Sequence, residues 1–365
     1  MITIHFQILP PISHSAEPMR ICGNLAELGE WDTEQALRLE YRAPFHVGQV
    51  EVPEGTHLEY KIVRDAWETE AVDAYGDVPV NLLHEAWFDI TLHHVVADWK
   101  DRFSGRVSTE KIESKRLAGS RDLLVWIPPS YHSDNARFPV LVMHDGDNVF
   151  DPTTSVISGV DWAADEWVAS MSSSGRLPEI LIVAVRHPEG FAEDGVSMRD
   201  FDLSPQLGGE AYAAFIAEEL IPHIDTHYRT KAEPESRILA GADLGGLISL
   251  HTALRYPGVF GSIACLSTAF EDVSETPPQY AQSLRVLEEV PALPERLRAY
   301  FDYGTEARDE CYEGYHRMLG EILRSKGWRD GETFDIRRIP GGSHDELSWR
   351  QRFGAALEFL VHAAA

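Results

Sequence analysis

The hydrophobic pattern changes once along the 365 residues, and this change constrains the fold more than any other feature. In the first part, apolar and polar residues alternate in short runs such as Thr3–Leu9 and Leu58–Val63, which predicts half-buried strands. In the second part, continuous apolar runs such as Pro139–Met143 and Ile180–Val185 alternate with segments of helical spacing. Runs of this kind are typical of strands buried on both faces of a mostly parallel sheet.

Two domains follow from this change. Residues 1–97 are predicted to be all-β, with a closing strand at Trp87–Leu92. The charged stretch 98–115 is predicted to be a linker that continues into a strand. Residues 116–365 are predicted to form an α/β domain, with helices on both faces of its sheet.

Composition narrows the classes of partner. The net charge of -27 opposes binding to phosphate backbones and to anionic membranes, whereas neutral ligands such as sugars are compatible with it. The three cysteines are far apart and odd in number, so no disulfide framework is predicted. We expect no metal and no cofactor, and neither a CxxC nor an HExxH spacing suggests zinc. We also expect a cytoplasmic protein, since no signal peptide or apolar membrane span is visible.

The segment Arg237–Leu250 reads as a strand, a sharp turn and a helix, with small residues on both sides of the turn. A nucleophile elbow requires this arrangement, because only Gly or Ala lets the strand and the helix approach closely enough. The residue at the centre of the turn is Asp243, where an esterase needs a hydroxyl nucleophile.

Two later loops complete a candidate catalytic constellation in the order nucleophile, acid, histidine. After a predicted strand that ends at Tyr303 comes a loop with the carboxylates Glu306 and Asp309. After the last predicted strand, a Gly-rich loop presents His344 ahead of a helix. A histidine in this position transfers protons if a carboxylate holds its tautomer.

The loop that begins at His144 follows a buried strand, so its backbone N–H groups are candidates for an oxyanion hole, with Leu244 N–H as the second donor. The same loop is rich in oxygen-bearing side chains, so calcium binding is an alternative, although the loop matches the oxyanion region better. These side chains are Asp145, Asp147, Asn148 and Asp151.

Taken together, these motifs resemble the α/β-hydrolase family that includes enterochelin esterases and feruloyl esterases, over residues 120–362. The resemblance implies an α/β-hydrolase fold, His344 as the catalytic histidine and Asp309 as the acid, with Glu306 as second choice. It also implies one oxyanion donor near Gly146 and Asp147. The family expects serine where this chain has Asp243.

The first domain carries a second resemblance. Its segments Ile21–Asp32 and Val52–Val63, followed by Trp67, are similar to the signature of starch-binding carbohydrate-binding modules. The resemblance implies an immunoglobulin-like sandwich that binds a glucan, with Trp31 and Trp67 stacking on glucose rings and Lys61 donating to sugar hydroxyls. Flat indole rings suit the apolar faces of pyranoses.

The occupant of the elbow leaves three hypotheses open. In the first hypothesis, Asp243 is a nucleophile that attacks carbon, and His344 activates the water that completes hydrolysis. Alternatively, His344 activates water directly while Asp243 orients it. In the third hypothesis Asp243 and His344 form an inert ion pair, and the protein is a pseudoenzyme that binds carbohydrate or a partner. The resemblance favours an esterase acting on carbohydrate-linked or other small acyl esters.

Overall fold

The computed structural model describes residues 1–12, 16–73, 76–101, 105–133, 135–155, 159–192, 195–270 and 296–361, together with Leu284, Leu287 and Pro294.

The N-terminal part is built from two four-stranded sheets. Their strands, with one further short strand, are β1 (Ile2–Leu9), β2 (Arg20–Gly23), β3 (Leu37–Arg38), β4 (Glu40–Arg42), β5 (Phe45–Val52), β6 (Thr56–Val63), β7 (Ala71–Val72), β8 (Leu82–Ala86) and β9 (Ile90–Val95). One sheet has the order β4-β5-β1-β9 and the other β3-β2-β6-β8. Alternate residues of both sheets, such as Phe6 and Tyr60, enter one shared apolar core, as the alternating pattern predicts.

The prediction of a closing strand at Trp87–Leu92 is wrong in its first residues. The strand is β9, and Trp87 lies in the connection between β8 and β9 with 59% of its surface exposed. The physical reason is that β8 pairs with β6 in one sheet, whereas β9 pairs with β1 in the other. The chain therefore has to cross between the sheets at this point.

The segment predicted as a linker is largely strand. Asp98–Trp99 (β10) pairs with β7, and Arg106–Glu113 (β11) pairs with the next strand, Ser120–Ile127 (β12). The charged residues misled the prediction because β11 is an edge strand that buries only Val107 and Ile112 and exposes most of its other side chains.

The second part contains the large sheet. Its other strands are β13 (Val140–Met143), β14 (Leu181–Val185), β15 (Arg237–Ala242), β16 (Ser262–Leu266), β17 (Arg298–Gly304) and β18 (Phe334–Ile339). Among the described residues the strand order is β11-β12-β14-β13-β15-β16-β17-β18. Strands β11, β12 and β14 are joined by antiparallel pairings, and all later pairings are parallel. The predicted, mostly parallel sheet is confirmed.

Helices cover both faces of this sheet. They are α1 (Ala164–Ser173), α2 (Met198–Leu203), α3 (Gly209–Phe215), which continues through a π-turn into α4 (Ile221–His227), α5 (Leu244–Arg255), α6 (Glu313–Ser325) and α7 (Glu346–Val361). Along β13, alternate residues enter opposite cores, one shared with α3, α5 and α6 and the other with α1 and α7. Burial on both faces explains why the strands read as continuous apolar runs.

Direct contacts join the two parts. Ile12 N donates to Glu166 Oε2 at 2.7 Å, and Arg350 Nη2 donates to the carbonyl of Pro10 at 3.4 Å. Arg350 also binds Asp161 and Glu166. A buried cluster of charged groups on α1 and α7 therefore lies against the N-terminal part.

Candidate active site

The predicted elbow lies at the carboxyl end of β15, near the middle of the large sheet, where ligands of open α/β sheets bind. Asp243 has φ 56° and ψ −121°, a conformation that non-glycine residues rarely adopt. The turn is tight, because a Cβ atom on Gly241 would lie 2.7 Å from the backbone of Gly245. The small residues seen in the sequence are thus required by the close approach of β15 and α5.

His344 lies between two carboxylates. Its Nδ1 is 2.7 Å from Asp309 Oδ1, and its Nε2 is 3.5 Å from Asp243 Oδ1. The loops after β17 and β18 bring the three side chains together in the order that a catalytic triad requires. Glu306 is exposed and is not the carboxylate that His344 contacts.

Asp309 is held firmly in place. Its side chain is fully buried, and Oδ2 accepts hydrogen bonds from Ser267 Oγ at 2.5 Å and from Gly304 N at 2.6 Å. Ser267 in turn contacts Trp349 Nε1 and Arg352. Asp309 therefore fixes the His344 tautomer with a proton on Nδ1, so that Nε2 faces Asp243.

The charges of the site follow from these contacts. Burial disfavours the imidazolium, but the hydrogen bonds to Asp243 and Asp309 outweigh burial and raise the pKa of His344. Burial likewise opposes the charge of Asp243, yet His344, Arg199 and Arg308 lower the pKa of that carboxyl to about 2. At neutral pH Asp243 is therefore ionised, and its charge in turn favours the protonated form of His344.

Two arginines complete the site, and neither of them was predicted from the sequence. Arg199, on α2, makes a bidentate contact with Asp145 at 2.6 and 2.9 Å and reaches Asp243 Oδ2 at 3.4 Å. Arg308 Nη1 lies 3.4 Å from Asp243 Oδ1. Arg308 stands between Glu306 and Asp309 in the predicted acid loop, so its position was a usable signal. No sequence signal pointed to Arg199, because this residue lies 44 residues before Asp243 in a short helix.

The predicted oxyanion residues flank the elbow. Gly146 and Asp147 begin a short 3₁₀ turn after β13, and Leu244 is the first residue of α5, where backbone N–H groups lack intrahelical partners. The Asp147 carboxylate contacts Arg186 at 2.5 Å, and Gly146 packs so closely on the backbone of Val185 and Arg186 that a Cβ atom would lie 2.9 Å from it. Whether these N–H groups bind an oxyanion stays a prediction.

The calcium alternative finds no support in the described ranges, which contain no cluster of three or more His, Cys, Asp or Glu side chains suited to a metal ion. Within the loop, the Asp145 carboxylate binds Arg199 and the Asp147 carboxylate binds Arg186. Both carboxylates are thus already paired with guanidinium groups.

His144 is a buried structural residue. Nδ1 lies 3.0 Å from Tyr212 Oη and Nε2 lies 3.1 Å from Ser249 Oγ, while the Ser249 hydroxyl donates to Gly245 O at 2.7 Å. Complete burial lowers the pKa of His144 to about 3, so the ring is neutral. This chain of hydrogen bonds ties the loop that begins at His144 to the first turn of α5.

The predicted sugar-binding tryptophans are neighbours in the N-terminal part. The ring centroids of Trp31 and Trp67 are 6.2 Å apart and their planes are inclined by 34°, with Trp67 37% exposed. We call these two rings the indole pair. Lys61 Nζ contacts Glu70 Oε1 at 2.6 Å and the carbonyl of Pro79 at 2.7 Å. The first domain thus brings the two rings together, while Lys61 is engaged with Glu70 and Pro79.

None of the helices in the described ranges combines the length and apolar character that a bilayer span requires.

Comparisons with known families match both parts of the chain. Residues 114–360 match the family described as putative esterase, and residues 1–80 match the starch binding domain. Two uncharacterized proteins of Bacillus subtilis strain 168 are relatives. YbbA is 27% identical over 261 residues, which are 68% of this chain and 95% of YbbA. YjcH is 31% identical over 270 residues, which are 71% of this chain and 98% of YjcH.

Solved structures show the same fold. The enterobactin esterase of Shigella flexneri, with 14% identity, aligns with a TM-score of 0.56 over 96% of this chain and 89% of its own. A ferulic acid esterase, with 18% identity, aligns with a TM-score of 0.54 over 71% of this chain and 99% of its own. The large sheet and its helices therefore have the α/β-hydrolase fold that the sequence motifs implied.

Proposed function

Because the chain belongs to the putative esterase family, we propose that its second domain hydrolyses carbohydrate-linked or other small acyl esters. The observation that carries this proposal is the alignment of Asp243, His344 and Asp309 at the carboxyl end of the sheet, with contacts of 3.5 and 2.7 Å. The fold aligns with proteins that are by name a ferulic acid esterase and an enterobactin esterase, which supports ester hydrolysis.

The first domain, residues 1–97, is proposed to be an immunoglobulin-like sandwich that holds a glucan-like carbohydrate on the indole pair. Its match to a starch binding domain and the 6.2 Å separation of the two rings support this role. Binding there would raise the local concentration of carbohydrate-linked esters near the second domain.

The charges of the site favour a mechanism in which water, and not Asp243, attacks the ester. Asp243 is a weak nucleophile because its pKa lies near 2. If it did attack an alkyl ester, the adduct would expel the carboxylate again, since the alkoxide is by far the stronger base and the poorer leaving group. Direct acyl transfer to Asp243 is therefore disfavoured.

In the proposed route, neutral His344 takes a proton from a water molecule through Nε2 while the Asp243 carboxylate orients that water. The water oxygen bonds to the acyl carbon, and the C=O electron pair moves to the carbonyl oxygen. In this proposal, backbone N–H groups of Leu244 and of the Gly146–Asp147 turn stabilise the oxyanion. When the intermediate collapses, His344 returns its proton to the departing alcohol.

Attack of Asp243 on an alkyl carbon, as in dehalogenases, has less support. Those enzymes usually carry a cap insertion, and the interval between Leu266 and Tyr303 leaves little room for one. Leu244 also stands where dehalogenases typically have tryptophan.

A second candidate function is a carbohydrate-binding pseudoenzyme. The observation in its favour is that Asp243 meets three cationic side chains, Arg199, Arg308 and His344. Asp243 and these three side chains form an ion cluster, and such a cluster can be present in a protein without any catalytic role.

Hydrolysis of a small activated acetate ester by the wild type and by His344→Ala distinguishes these candidates. We expect slow wild-type turnover that rises with pH, because the base form of His344 appears only above its raised pKa. His344→Ala should lower kcat/KM about 100-fold or more. Mass spectrometry after rapid acid quench should find unmodified protein.

Three outcomes would count against parts of this proposal. Acylated Asp243 would contradict the water route while leaving the esterase assignment in place. Turnover unaffected by His344→Ala would place the reaction outside this site. Absence of turnover in the wild type at any pH would favour the pseudoenzyme.

A further inference from the structure

A cavity of about 350 Å³ lies between the two domains. Its walls come from the N-terminal part, among them Lys61, Glu70 and His94, and from Asp151 and Thr153 of the second domain. None of these residues belongs to the Asp243–His344–Asp309 site. We call this space the interdomain cavity. Its volume is at the small end of the range for small-molecule sites, which suits one or two sugar rings better than a polymer segment.

The interdomain cavity combines an apolar wall with a polar rim. Ile62, Val72, Leu82 and Val95 provide aliphatic surface. Such surface packs against the C–H faces of a pyranose, while oxygen and nitrogen atoms at the rim hold its hydroxyls. The wall is suited to a small ligand that is partly apolar and rich in hydrogen-bonding groups.

Lys61 supplies the donor at the rim. Its ammonium group contacts Glu70 Oε1 at 2.6 Å and Pro79 O at 2.7 Å, which uses two of its three N–H donors. Its side chain is 17% exposed, and it lines the cavity. The third N–H is thus held in a fixed direction by its two neighbours and is available to a ligand.

The second domain supplies acceptors. Asp151 is buried, and its Oδ1 accepts from Thr153 N at 2.8 Å and Thr153 Oγ1 at 2.7 Å. This small turn comes shortly after the Gly146–Asn148 turn along the chain. Glu70 and Asp73 add further carboxylates from the first domain. Three acidic side chains against one lysine disfavour an anionic ligand and suit the hydroxyls of a neutral polyol.

We propose that the interdomain cavity binds the end of a short gluco-oligosaccharide, with both domains contributing to the site. This inference rests on the proposed carbohydrate-binding role of the first domain and extends it to residues of the second. One ring of the indole pair belongs to Trp67, which stands three residues before the cavity residue Glu70 on the turn that leads into β7.

The test compares a linear with a cyclic glucan in the full-length protein by isothermal titration calorimetry. Maltose has chain ends that can enter the interdomain cavity, whereas β-cyclodextrin has none and can contact only the indole pair. Thr153→Trp fills the cavity from the second domain. Because Thr153 is exposed, the added ring does not enter the core, and Asp151 keeps its hydrogen bond from the backbone N of residue 153. We expect Thr153→Trp to weaken maltose binding at least tenfold and to leave β-cyclodextrin binding within twofold of wild type.

Thr153→Ser is the matched control, because it keeps the hydroxyl that binds Asp151 and should bind both sugars as the wild type does. Equal maltose affinity in wild type and Thr153→Trp would overturn the inference, and so would an equal loss for both sugars. Acetate-ester turnover measured on the same samples separates the two proposals. Its absence would contradict the esterase assignment while the effect on maltose remained.

Discussion

At the scale of single residues, Asp243 determines the charge of the active site. A serine in its place would leave His344 with one carboxylate partner, Asp309, instead of two. The imidazolium would then be less favoured, and neutral His344 would be present at lower pH. The same change would provide the hydroxyl that the elbow geometry is suited to present.

Asp243→Ser is therefore expected to raise hydrolysis of an activated acetate ester at pH 7 at least tenfold. It should also move the rising limb of the pH–rate profile to lower pH, because the pKa of His344 falls. The measurement is kcat/KM from pH 5 to 9 for wild type and variant. Asp243→Asn, which has neither charge nor hydroxyl, is the control: its rising limb should also move to lower pH, but without the hydroxyl its maximal rate at high pH should not rise. Equal rates for all three proteins would show that more than the nucleophile differs from an active esterase.

The sequence predicted single residues well where local chain geometry decides them. Asp243 was placed at the elbow because the tight turn needs small neighbours, and the structure has it there. The choice between Glu306 and Asp309 could not be made from the residues themselves, since both follow β17. It depends on the bend of the 3₁₀ turn Ala307–Cys311, which buries Asp309 and exposes Glu306.

At the scale of elements, the turn Trp67–Thr69 holds one ring of the indole pair, that of Trp67, in a fixed position. Thr69 Oγ1 donates to Asp65 Oδ1 at 2.9 Å and accepts from Ala66 N at 3.1 Å, so the turn is closed by its own side chain. Trp31 N donates to Gly23 O at 2.8 Å, which fixes the second ring to β2. A ring pair held in this way loses little conformational entropy when a sugar binds.

Trp31→Ala and Trp67→Ala are each expected to weaken retention on amylose about tenfold, which corresponds to ~1.4 kcal/mol of binding free energy. Affinity electrophoresis in gels containing amylose measures the effect. Trp87→Ala is the control, because Trp87 is 59% exposed on the same domain but lies outside the pair. Unchanged retention of both pair variants, or an equal loss with Trp87→Ala, would contradict the assignment of the sugar site.

Element boundaries were harder to predict where tertiary pairing sets them. The β8–β9 connection contains Trp87 and Phe88, whose aromatic side chains are typical of strands, but the chain has to change sheets there. In the same way, the charges of 98–115 indicated a linker, although β11 is an edge strand whose exposed face tolerates them. Neither the partner strand nor the edge position is encoded locally.

At the scale of the whole molecule, the joint between the domains contains more buried acid than base. Asp161 and Glu166 bind Arg350, and Glu166 also accepts from the backbone of Ile12 in the first domain. Asp165 belongs to the same cluster, and its Oδ1 is enclosed without a hydrogen-bond partner. Burial, followed by repulsion from Asp161, raises the pKa of Asp165 to about 8. The joint therefore carries a proton at neutral pH that the unfolded chain would release.

The sign of the effect on stability follows from this proton. An unfolded aspartate has a pKa of about 3.9, so between that value and about 8 the folded state binds the additional proton. The free energy of unfolding consequently decreases as the pH rises through this range. Asp165→Asn cannot bind the proton and keeps the shape of the side chain, so its stability should be nearly independent of this titration.

We expect Asp165→Asn to raise Tm relative to wild type by about 2–4 °C at pH 8, which corresponds to about 1 kcal/mol, and by much less at pH 5, where wild-type Asp165 is already protonated. Differential scanning calorimetry at the two pH values provides the measurement. Asp161→Asn is the matched comparison and should destabilise at both, because Asp161 binds Arg350 at 2.6 Å and its loss leaves that guanidinium underpaired. An equal Tm gain for Asp165→Asn at pH 5 and pH 8 would show that packing, and not the buried proton, controls the stability of the joint.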